Sequence, residues 1–232
     1  MMRLIFRSLI WHARTHLMVM LAVAVSTAVI GGALIVGDSV RASLRHMTLS
    51  RLGAITHVLH SPRFVRQQLA EDLNALESTR AAGLIARPAL MLTGSVEKKA
   101  SDGSLRRATE VGLTGIRPDT WEMFETQDVK APSDGGLVLG YRTAKELQAN
   151  PGDEVSVWVE LPSSIPRDSL LGERENVSVE IVLKVEGVLP ESAGASRFSL
   201  QPAQQLPHNA FLSLATFQQR LKRIVGKLLR DR

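Results

Sequence analysis

Leu17–Val36, LMVMLAVAVSTAVIGGALIV, carries no charged side chain. At about twenty residues it has the length a helix needs to cross a hydrocarbon core of roughly 30 Å. Lipid offers no partner to a backbone N–H or C=O, so such a run crosses only as a helix that satisfies its own hydrogen bonds. The competing reading is a cleaved signal peptide, whose apolar region is usually about 7 to 15 residues and ends at a small-x-small site. This run is longer, and its small residues between Ala22 and Ala33 recur at helical spacing. A retained transmembrane helix over 17–36 is therefore predicted.

The flanks extend that reading. In residues 3–16, RLIFRSLIWHARTH, the residues Leu4, Ile5, Leu9 and His12 fall near one side of a helix, with Trp11 suited to headgroup level. Residues 1–16 are accordingly read as an interfacial amphipathic segment. His12 and His16 stand four apart, as two metal ligands on a helix would, but no third ligand lies near them and no metal site is expected. Inside the membrane run, Ala24, Ala28 and Gly32 recur at every fourth position, a spacing that lets a second helix approach closely. Beyond it, Val40, Leu44, Met47, Arg51 and Ile55 keep a helical stripe, which predicts a helical stalk over 37–57 with Gly37 and Asp38 as the place for a bend.

Charge is unevenly spread along the 232 residues. The formal total is +5, yet residues 1–66 hold eight arginines against Asp38 alone, and 220–232 hold six bases against Asp231 alone. The stretch between holds 14 bases against 21 acids. Nucleic-acid binding would need positive charge on one folded face together with stacking aromatics, and Tyr141 is the only tyrosine. Basic residues flanking apolar segments fit anionic headgroups better, so membrane lipids are the expected partner and nucleic acid is not. Arg3, Arg7 and Arg14 precede the helix while Arg41, Arg45 and Arg51 follow it, which nearly balances the positive-inside count. The free amino terminus and Asp38 tip it toward a cytoplasmic N-terminus. With no cysteine, neither a disulfide framework nor a thiolate zinc site can form.

Residues 58–219 read as an α+β domain. Pro62 ends what precedes it, and Phe64, Leu69, Leu73 and Leu76 predict an amphipathic helix over 64–76. Leu90, Leu92 and Val96, the turn Ser101-Asp102-Gly103-Ser104 and the return through Ala108 to Leu113 predict a hairpin. Pro118–Trp121 reads as a short helical start, Leu137–Leu139 as a buried strand, Tyr141–Gln148 as a helix and Asn150–Asp153 as a tight turn. Val155, Val157, Val159 and Leu161 alternate with polar neighbours, as do Val177, Val179, Ile181, Leu183 and Val185. Strands of this kind bury one face and predict a mostly antiparallel sheet covered on one side, with an exposed loop over 162–175. Residues 220–232 continue a stripe of Phe217, Leu221, Ile224, Val225, Leu228 and Leu229 with bases on the other faces, expected to meet the membrane or a partner helix.

Catalytic signatures are missing: no Gly-x4-Gly-Lys-Ser/Thr loop, no HExxH, no Gly-x-Ser-x-Gly elbow. No catalytic residue and no cofactor are expected. His57, His60 and His208 read as ordinary polar residues, and Asn176-Val177-Ser178 as a chance match to the glycosylation sequon.

The run from Arg14-Thr15-His16-Leu17 to Ala33-Leu34-Ile35-Val36-Gly37-Asp38-Ser39-Val40-Arg41-Ala42-Ser43-Leu44-Arg45 resembles the first transmembrane helix of FtsX/MacB-like ABC transporter permeases. Leu52-Gly53 and Phe64-Val65-Arg66 are similar to the continuation of that segment. Leu137 through Leu147 to Gly152-Asp153-Glu154-Val155 resembles their extracytoplasmic core domain, as do Arg197-Phe198-Ser199-Leu200 with Gln204 and Asn209-Ala210-Phe211. The resemblance implies a non-catalytic permease subunit or fragment in the cell inner membrane, single-pass with its main domain outside the cytoplasm. It further implies a separate ATPase partner, additional permease helices or a homodimer partner, and lipid, lipoprotein or peptide cargo. Family members carry three more membrane helices that this sequence does not show, so a truncated or split gene is one expectation. The alternative is a membrane-anchored binding or adaptor module without transport activity.

Overall fold

A computed structural model describes residues 2–61, 64–100, 103–160, 178–200 and 205–228. They form two compact units, Met1–Leu49 and Ser50–Arg232. The protein is α+β, as its sequence indicates.

The first unit is helical, with α1 (Met2–Trp11) and α2 (Ala13–Leu52) separated at His12. No residue of α2 is buried within the protein, and α2 is the one helix among the described residues long and apolar enough to cross a membrane. Large apolar side chains such as Met18, Ile30 and Ile35 stand exposed along it, the arrangement expected of a surface that lipid covers. The helix is continuous through Gly37 and Asp38 and stops at Leu52, short of the predicted stalk end at 57. Gly53 takes φ +58°, and a Cβ there would lie 2.3 Å from the Met123 carbonyl oxygen, so glycine both turns the chain and admits that close approach.

The second unit contains a closed six-stranded barrel of β1 (Leu90–Lys99), β2 (Leu105–Ile116), β3 (Gly136–Leu139), β4 (Glu154–Glu160), β5 (Ser178–Val188) and β6 (Asn209–Ser213). Around the barrel the order is β1-β2-β6-β3-β5-β4. Pairings β1–β2, β1–β4, β3–β6 and β4–β5 are antiparallel, whereas β2–β6 and β3–β5 are parallel. The one-sided alternation in β4 and β5 thus covers an interior rather than one face of an open sheet: Val155, Val157, Val159, Ile181, Leu183 and Val185 all point into the core. Closure removes the edges that an open sheet would leave unpaired. At the β1–β4 seam a Cβ on Gly94 would lie 2.1 Å from the Trp158 carbonyl oxygen, so the two strands meet only because residue 94 is glycine.

The remaining helices are α3 (Gln68–Ala75), α4 (Glu77–Ala81), α5 (Pro118–Trp121), α6 (Tyr141–Leu147) and α7 (Leu214–Leu228). α6 follows β3 and α7 follows β6, and since β3 and β6 run antiparallel the two helices stand at opposite ends of the barrel. Ala144 and Leu147 of α6, and Phe217 and Leu221 of α7, join the interior cluster as stoppers. A second apolar layer covers the outside of β3 and β6, where Val138 and Phe211 pack with Ile116, Trp121, Phe124, Leu189 and Phe198. Trp121 meets Phe211 edge-on at 5.3 Å, and Phe124 meets Phe198 edge-on at 4.9 Å.

Two further sequence expectations are corrected. The helix predicted over 64–76 begins at Gln68; Phe64 and Val65 are exposed, so extending the helix over them would bury nothing. Phe217 and Leu221, expected at the membrane or a partner helix, are buried in the barrel interior. The loop over 162–175, Asn176 and Leu229 lie outside the described residues, as do the side chains of Ile224, Val225 and Leu228.

Candidate functional site

At the α6 end of the barrel, three separate parts of the chain enclose a cleft of about 480 Å³. Its walls are Thr109 and Glu110 of β2, Arg142 and Glu146 of α6, and residues 205–208 ahead of β6. The β2 wall is a bulge. Gly94 pairs with Val111 and Val96 with Ala108, which leaves Thr109 and Glu110 together opposite Ser95. Glu110 adopts φ +53°, the left-handed conformation in which a non-glycine residue is strained.

The helical wall is set by one buried residue. Asn209 accepts from the Gly140 N–H at 2.8 Å and the Thr143 hydroxyl at 3.1 Å through its main-chain oxygen, fixing the first turn of α6. Its side-chain amide donates to the Phe198 carbonyl at 2.8 Å. From α6, the Arg142 guanidinium donates to the Leu206 carbonyl at 2.5 Å, and Glu146 lies 3.4 Å from His208 Nε2. The main chain of His208 is held as well, its carbonyl accepting from the Gly112 N–H at 2.7 Å.

Burial and the nearby Arg142 charge push the His208 imidazole pKa below its ordinary value, against the opposite pull of Glu146 and Glu110. The ring is therefore neutral at neutral pH. The cleft then presents two carboxylates, one guanidinium and a neutral imidazole, a set suited to polar recognition.

A second polar group braces the entry to α5. Arg117 and Arg87 flank Asp119, whose carboxyl is held down to about 2 chiefly by its hydrogen bonds from Arg117. At the C-terminal end of α6, Lys98 donates to the Gln148 carbonyl at 2.7 Å and to Asp153 at 2.6 Å, tying β1 to that end of the helix.

Of the residues singled out from sequence, Ala24, Ala28 and Gly32 lie on α2 in the first unit, all exposed, with open space around Gly32. Phe217 and Leu221 lie in the core of the second unit. His208 read as an ordinary loop residue because its partners Glu110 and Glu146 stand far from it in the chain. The pairing of a glycine-poor bulge with a helix could not be read from spacing.

An exposed apolar helix followed by a stoppered mixed barrel defines a membrane-anchored α+β module. Residues 17–230 match the family described as MacB-like periplasmic core domain, and the chain belongs to that family. It is thus a component of an ABC transporter permease of MacB/FtsX type, a membrane protein with an extracytoplasmic domain, in a system that includes an ATPase partner. No curated protein matches the chain.

Proposed function

We propose that this chain is a non-catalytic permease component whose barrel domain moves under the control of a separate ATPase and handles lipid, lipoprotein or peptide cargo. The observation that carries the reading is the family match extending through both α2 and the barrel, which joins a membrane helix to a domain of known transporter type. The small face of Ala24, Ala28 and Gly32 supports close packing of α2 with a further permease helix or a second copy. The orientation we propose is an N-terminus in the cytoplasm and residues 58–219 outside it, in the inner membrane.

Affinity purification of the chain from detergent-solubilised membranes tests the ATPase coupling. Stoichiometric recovery of a protein bearing a phosphate-binding glycine loop supports it. Recovery without such a protein, from cells that express all subunits, favours instead an anchored binding module. Protease added to spheroplasts tests the orientation, because it digests the barrel only if the barrel is outside.

A further inference from the structure

Residues Gln205–His208 cross the α6 end of the barrel as a strap. α6 grips it at two points one helical turn apart, Arg142 on the Leu206 carbonyl and Glu146 on His208 Nε2. A carboxylate facing Nε2 places the imidazole hydrogen on that nitrogen and leaves Nδ1 as a bare lone pair, an assignment made from the network. Nδ1 is fully buried and has no hydrogen-bond partner among the described residues. The His208 side chain is 13% exposed, so the ring has little water of its own.

We infer that Gln205–His208 is an acid-released strap: it is clasped to α6 while His208 is neutral and is let go when the imidazole takes up a second proton. That proton must go to Nδ1, which is sealed from water and has no acceptor. The charged groups facing the ring are Arg142 and Glu146 from α6 and Glu110 from β2; Gln205, Leu206 and Pro207 of the strap add none. Glu146 and Glu110 favour the imidazolium, but burial and the guanidinium of Arg142 outweigh them. The charged ring regains hydration only by leaving its place. Leaving draws Pro207 and Leu206 with it and breaks the Arg142 bond to the Leu206 carbonyl. The cleft over Thr109 and Glu110 opens, so its shape depends on pH. This inference concerns the fold alone and stands independently of the proposed cargo.

Hydrogen exchange of the full chain in detergent, corrected for intrinsic rates and followed from about pH 8 to about pH 5, tests it across the range where histidine titrates. The Gly112 amide, which donates to the His208 carbonyl, should lose protection as pH falls below the ordinary histidine value, by up to about tenfold per pH unit for a single coupled proton. The amides of Ala210–Leu212 in β6 should stay protected. In His208→Gln the Gly112 amide should exchange without this pH dependence. Glu146→Gln removes one charge that favours the imidazolium and should move release to lower pH. Should either variant fail to fold, the ring-proton resonance of His208 in the unaltered chain decides, since it should titrate below 6.5. Gly112 protection that is constant with pH overturns the inference, as does unchanged pH dependence in His208→Gln or a His208 midpoint above that value.

Discussion

Gly115 of β2 lies against the ring of Phe217 of α7, so closely that a Cβ at 115 would come within 2.8 Å of Phe217 Cδ1. The contact shows that α7 is seated in the barrel mouth. Phe217→Ala should destabilise the second unit by about 3–5 kcal/mol, the range for deleting a buried aromatic ring. Gly115→Val should cost about 1–3 kcal/mol by overfilling the same space. Chemical unfolding of both variants checks this; a Phe217→Ala chain as stable as the parent would show that α7 is not part of the core.

Asn209→Leu should destabilise by about 1–3 kcal/mol, because the Phe198 carbonyl loses its donor and the buried amide has no apolar counterpart at that site. The effect should concentrate near residues 195–198, whose carbonyls the same amide faces. Hydrogen exchange confined to that loop is the measurement. An unchanged exchange pattern would refute the role given to Asn209.

Asp119 makes stability depend on pH in a definite direction. Its pKa is lowered from 3.8 to about 2 by Arg117, so the native state favours the carboxylate. The contribution is fully present above 3.8 and is lost as pH falls toward 2. With 38% of the side chain exposed, it amounts to about 1 kcal/mol or less. Asp119→Asn should flatten the acid limb of an unfolding-versus-pH curve, and an unaltered limb would remove Asp119 as its source.

His208 acts with the same sign over a different window. Its folded pKa lies below 6.5, so its contribution is complete above that pH and declines as acid protonates the ring. Unfolding midpoints of parent and His208→Gln should therefore converge at acid pH, where the parent has lost what the neutral ring supplied. Midpoints that keep a constant separation through the histidine range would contradict this.

Carbonate-washed membranes should retain the full chain, and removal of residues 17–36 should release it, because α2 is the described helix whose exposed apolar length matches a bilayer. Release of the full chain by carbonate would contradict the anchor.

The membrane helix was legible in Leu17–Val36 because solvent preference is a local property: twenty consecutive uncharged and mostly apolar residues have the same consequence whatever surrounds them. The strands of Val155–Val159 and Val179–Val185 were legible for a like reason, as period-two alternation reports burial one residue at a time. Alternation is silent on what lies opposite. Only the tertiary structure decided that β2 pairs in parallel with β6, that the sheet closes, and that Phe217 and Leu221 fill its interior rather than face a membrane. The same amphipathic stripe suits a bilayer and a barrel mouth equally well, so its partner is fixed by chain connectivity, not by composition. The cleft is the extreme case, since Glu110, Arg142, Glu146 and His208 become neighbours only through a bulge, a helix docked by Asn209 and a strap, each placed by contacts between residues remote in sequence.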